Sequence, residues 1–69
     1  MNSRIEIVTL ADANYYSGLR ATCLSIATFA NDPSCLVFNI IDGGIHATQQ
    51  DDLASRLQAV DPAIECQFI

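Results

Sequence analysis

Sixty-nine residues suffice for one small domain, and a chain of this size buries only about 60 % of the surface that it exposes when unfolded, so one core must carry it. Eight carboxylates stand against Arg4, Arg20 and Arg56 with no lysine, and the net charge of −5 repels nucleic-acid phosphate and anionic lipid alike. Hydrophobic residues make up 51 % of the chain and run along its whole length, which excludes disorder.

Met1-Asn2-Ser3-Arg4 leads straight into a strand-like run, without the basic-then-apolar layout of a signal peptide or an apolar stretch long enough to span a bilayer. No membrane span and a cytoplasmic location are therefore expected. Cys23, Cys35 and Cys66 are odd in number, lack C-x-x-C spacing and lie within apolar segments, which fits buried thiols rather than a disulfide or redox pair. His46 is the sole histidine, so no zinc site follows from it.

Ile5 to Ala11 is a short, β-branched, nearly continuous apolar run, as expected of a strand covered on both faces. Asp12-Ala13-Asn14 breaks it. From there Tyr15, Leu19, Cys23, Ile26, Ala27 and Ala30 recur at helical spacing, with Asp12 or Asn14 placed to cap the helix and Asn31-Asp32-Pro33-Ser34 to end it. Cys35 to Ile41 reads as a second buried strand, closed by the turn signal Asp42-Gly43-Gly44. Thr48-Gln49-Gln50-Asp51 resembles a capping box ahead of Leu53, Leu57 and Val60, which predicts a second helix starting at Thr48 and stopped by Asp61-Pro62. Ile64, Cys66 and Phe68 then alternate with Glu65 and Gln67, the pattern of a strand with one wet face.

Strands alternating with amphipathic helices imply an α/β fold, a βαβαβ unit with a parallel three-stranded sheet. Two crossovers in the same direction put both helices on one face. The first two strands are nonetheless apolar on both sides, so the first strand is expected at the centre of a larger sheet and the natural structural unit is expected to exceed this chain. In an open sheet of this kind ligands bind beyond the carboxyl ends of the strands. Asp12, Asn14 and Tyr15 occupy that edge. A carboxylate and an amide can hydrogen-bond a base and ribose, and a tyrosine can stack on a base; the same residues also serve as turn, cap and first member of a buried helical stripe, and both readings stand.

Other chemistries lack their residues. Neither G-x-G-x-x-G nor G-x-x-x-x-G-K-[ST] occurs, because the glycines are Gly18, Gly43 and Gly44 alone. His46 suits a solvated or capping role better than that of a triad base. Asp51 and Asp52 suit a helix N-terminus better than a metal site.

The segment Ile7-Val8-Thr9-Leu10-Ala11-Asp12-Ala13-Asn14-Tyr15, the helix from Leu19 to Ile26 and the strand Phe38-Asn39-Ile40-Ile41-Asp42-Gly43-Gly44-Ile45 together resemble the N-terminal part of glycosyltransferase family 8, which includes lipooligosaccharide galactosyltransferases and glycogenin. The resemblance implies a GT-A type fold and transfer of a hexose from a UDP-sugar to a glycan or other acceptor, with retention of configuration and a divalent metal, usually manganese. It further implies that Leu10, Ala11, Asp12, Asn14 and Tyr15 contact the nucleotide-sugar donor. Asp42 matches a family position as well, and is expected to fix its loop rather than touch ligand. The family's metal-binding D-x-D, its later histidine and its acceptor region have no counterpart in this sequence, so catalytic and metal residues are not expected here and the isolated chain is expected to be inactive. A different reading is a non-catalytic α/β binding or assembly module, self-associating through its uncovered sheet face or completing its sheet with another chain.

Overall fold

The computed structural model describes residues 4–69; the lead-in Met1-Asn2-Ser3 lies outside the described residues. Five regular elements follow one another: strand β1 (Ile5–Ala11), helix α1 (Tyr16–Phe29), strand β2 (Leu36–Asp42), helix α2 (Ala47–Val60) and strand β3 (Glu65–Phe68). A 3₁₀ turn at Pro33–Cys35 takes the start of the expected second strand, because Pro33 fixes the turn and the Asp32 carboxylate accepts the Ser34 N–H at 3.2 Å. The strands form one parallel sheet in the order β1-β2-β3, with Ile5 opposite Leu36 and Val37 opposite Glu65. The fold is therefore an α/β βαβαβ unit. Within it β2 is the middle strand, the half-polar β3 lies on one side of it, and the outer edge of β1 pairs with no other strand among the described residues.

Both helices contribute to one core. Strand alternation places Ile7, Phe38, Ile40, Cys66 and Phe68 on the same sheet face, where they pack with Leu19, Cys23 and Ala27 of α1 and Leu53 and Leu57 of α2. The buried stripe of α1 begins at Tyr16, not at the expected Tyr15. The reason is polar. The Tyr16 hydroxyl donates to Asp52 Oδ2 at 2.5 Å, and Asp52 Oδ1 accepts from Arg56 Nε at 2.9 Å. Arg20 reaches the same carboxylate at 3.5 Å and lies over the Tyr16 ring. Asp52 thus ties α1 to α2 instead of serving a helix N-terminus. The Tyr16 hydrogen bond, followed by that of Arg56, holds its carboxyl below the usual range.

The second helix also starts one residue before the expected position. His46 is its N-cap, and the Gln49 side chain accepts the His46 N–H at 3.0 Å, so the reciprocal pair uses His46 and Gln49 rather than Thr48 and Asp51.

The opposite sheet face carries no helix and changes character along the strands. At the amino ends, Arg4 pairs with Glu65 across Val37, and Glu6 accepts from Asn39 Nδ2 at 3.4 Å. Toward the carboxyl ends it is apolar: Val8 and Leu10 are 66 % and 62 % exposed, and Leu10, Ile41 and Ile69 form a row across the sheet. Ile69 continues the ladder by donating to the Ile40 carbonyl and accepting from the Asp42 N–H. Among the described residues no helix is long and apolar enough to cross a membrane.

Candidate functional site

Parallel strands deliver their chain reversals to one edge of the sheet, and the first two reversals here meet. Gly43 N–H donates to the Ala11 carbonyl at 2.9 Å, tying the exit of β2 to the exit of β1. A side chain could not sit there without displacement, since a Cβ on Gly43 would lie 3.1 Å from that carbonyl oxygen. Gly44 follows with φ of +121°, a conformation that L side chains rarely adopt. Asp42 secures the rest of the loop: its Oδ1 accepts the N–H groups of Gly44 and Ile45 at 2.8 and 2.6 Å, and its Oδ2 accepts from Gln50. These bonds, led by that of Gly44, hold the Asp42 carboxyl below its ordinary value. Asp42 fixes the loop and does not line the cleft.

The cleft itself encloses about 350 Å³ and is lined by Leu10, Ala11, Asp12, Tyr15 and Gly43. Four of the five residues implicated by the resemblance therefore converge. Asn14 is exposed and does not line it. Asp12 is held in place by accepting the Tyr15 N–H on Oδ1 at 2.9 Å, alongside the Asp12 carbonyl at 3.2 Å. This bond closes the turn into α1, so the carboxylate has a structural task. Its Oδ2 accepts from no protein donor among the described residues. Tyr15, at the N-cap of α1, is 58 % exposed. With Tyr16 filling the helical stripe, the Tyr15 ring is left to the cleft.

Chemically, the cleft offers an apolar wall, one aromatic ring and one carboxylate. That set suits a flat ring with N–H or O–H donors. It supplies no cationic group for phosphate and no nucleophile paired with a base. Gly43 lines the cleft although it was not among the expected donor contacts; the signal was the Asp-Gly-Gly turn itself, whose partner strand could not be known before the sheet register was.

A second hollow lies at the other end of the strands, around Asp32, Ser34, Cys35 and Glu65. There the Ser34 hydroxyl and the Cys35 thiol both donate to Asp32, and the bond to Asp32 raises the thiol's pKa, which makes it a poor nucleophile. Cys23 and Cys66 are likewise free thiols, pushed up to about 11 by burial.

Among the described residues no three His, Cys, Asp or Glu side chains converge as a metal ligand set. No protein family model, curated protein or solved structure matches the chain.

Proposed function

We propose that this chain is the nucleoside-binding segment of a retaining, UDP-sugar-dependent glycosyltransferase of GT-A fold, with the cleft at the ends of β1 and β2 receiving the uridine of the donor. The observation that supports this reading is the convergence of Leu10, Ala11, Asp12 and Tyr15 at the carboxyl edge of the sheet, where open α/β sheets bind ligands. The Tyr15 ring covers one face of the base. Asp12 Oδ2 accepts a hydrogen bond from the base N–H or a ribose hydroxyl. Leu10 and Ala11 close the side, and Gly43 lets the ligand approach the backbone. Divalent metal, sugar transfer and acceptor binding belong to residues outside this segment, so the 69-residue chain has no transferase activity.

Amide chemical shifts of the labelled chain, titrated with UDP and with ADP as control, test this. Expected are shifts at Leu10 to Tyr15 and at Gly43, with a millimolar dissociation constant for UDP, roughly −4 kcal/mol. Base stacking contributes about 1–3 kcal/mol, so Tyr15→Ala lowers the affinity by at least about fivefold while leaving the far-UV spectrum unchanged. Manganese leaves the binding unaltered. Shifts confined to other surfaces, or no preference for uridine over adenosine, would refute the donor-site reading; tight manganese-dependent binding would overturn the assignment of metal ligands elsewhere.

A second reading rests on the bare sheet face. Its apolar row of Leu10, Ile41 and Ile69, beside the free edge of β1, fits an assembly module that completes its sheet with another chain. Self-association is opposed by the net charge of −5 and by the engagement of Arg4, Arg20 and Arg56 with acids of their own chain. Sedimentation velocity from about 10 to about 300 μM, high enough at its upper end for mass action to report weak contacts, is expected to give a monomer. A stable oligomer would move the balance to the module.

A further inference from the structure

Gly18 is the one glycine within either helix, and glycine is the poorest helix former after proline. It lies in the first turn of α1, three residues beyond Tyr15 and thus on the same side of the helix. A Cβ placed on Gly18 would stand 2.7 and 2.8 Å from Tyr15 Cζ and Cε1, and 3.1 Å from the hydroxyl oxygen. The ring therefore lies directly on the Gly18 backbone, in space that any other residue would fill. The other end of the tyrosine is equally fixed, because Asp12 holds the Tyr15 N–H and the Tyr15 carbonyl accepts from Leu19 at 3.0 Å.

We infer that Gly18 is a positioning residue, the seat that holds the Tyr15 ring as a fixed wall of the cleft and gives that cleft its selectivity for a flat heteroaromatic base. This rests on the donor-site reading above as far as the ligand is concerned, while the seat itself is a property of the unliganded chain. The atoms that a methyl group at position 18 would meet are the far end of an exposed side chain and not backbone or core, so the methyl displaces the ring without disturbing the core. Gly18→Ala separates folding from binding: the alanine improves the helix and evicts the ring. Tyr15→Ala removes the wall while leaving the seat empty, and the two substitutions together measure whether they act through one another.

The probe is uridine, which carries the base without phosphate, read by amide shifts in the full 69-residue chain. Expected for Gly18→Ala are a melting temperature equal to or above that of the parent, at least a fivefold loss of uridine affinity, and no further loss when it is added to Tyr15→Ala. In the unliganded parent, nuclear Overhauser contacts join the Tyr15 ring protons to the Gly18 Hα protons, and these vanish in Gly18→Ala. Undiminished uridine binding by a folded Gly18→Ala chain overturns the inference, as does a parent chain without those ring contacts. If the contacts are present and the parent binds no uridine, the seat stands and the donor-site reading falls, together with the selectivity ascribed to the seat.

Discussion

Phe38→Ala is expected to abolish the cooperative unfolding transition of this chain. Phe38 is 0 % exposed at the middle of the central strand, flanked in register by Ile7 and Cys66 and covered by both helices. Truncating such a residue costs about 3–5 kcal/mol, from lost burial and from the cavity left behind. A chain of this length has a total stability of roughly 3–10 kcal/mol, and its layer of two helices on one sheet face leaves no second core to compensate. Urea titration followed by circular dichroism should show a sloping baseline with no midpoint. Phe29→Ala provides the contrast: that ring is 83 % exposed, and its removal should change stability by no more than about 0.5 kcal/mol. Equal effects at the two positions would show that the core is not where the packing places it.

Alkaline instability is the second large effect. Burial raises Cys23 and Cys66 from 9.0 to about 11, and burial, then the bond to Asp52, raises Tyr16 from 10.0 to about 12. Each group is neutral when protonated, and in the unfolded chain each ionises at its ordinary value. Between pH 9 and 12 the unfolded chain therefore binds fewer protons than the folded one, and stability falls as pH rises. It is intact below about pH 9. Each group removes on the order of 2 kcal/mol across its own window, which together approach the whole stability of a small domain. Thermal melts should show a level melting temperature from pH 7 to 8.5, a steep fall above 9, and tyrosinate absorbance from Tyr16 appearing only as the chain unfolds. A melting temperature at pH 11 equal to that at pH 8 would contradict the burial of these groups. On the acid side the sign reverses. Asp42 and Asp52, both held below 3.8, contribute stability above that pH and lose it as pH falls through their folded values.

Hydrophobic period and turn chemistry were enough to place all five regular elements, the parallel pairing and the shared helix face, because each depends on short-range pattern. What lay beyond the sequence depended on choices between near-equivalent neighbours. Tyr15 and Tyr16 are both aromatic and adjacent, and helical spacing alone does not say which enters the core; the carboxylate of Asp52, thirty-six residues away, selects Tyr16. His46 and Thr48 both stand where the second helix could be capped, and the Gln49 side chain, which accepts the His46 N–H, favours the earlier start. Of the residues that the breakers at the end of β1 marked, Asp12 and Tyr15 line the cleft and Asn14 does not, while Leu10 and Ala11, which also line it, were implied only by the resemblance. Gly43 and Gly18 were not legible, because a glycine's role here is the space it leaves for a residue that only the folded chain brings near.

The bond from Gly43 to the Ala11 carbonyl and the three donors gathered by Asp42 bear on affinity as well as on shape. A cleft whose floor is closed by the protein's own backbone loses little freedom when a ligand enters, so the entropic cost of ordering the site has been met during folding. The millimolar affinity expected for UDP would then reflect too few contacts rather than a floppy pocket. Affinity should grow as ligand groups or protein walls are added, and tightening the loop further should contribute little.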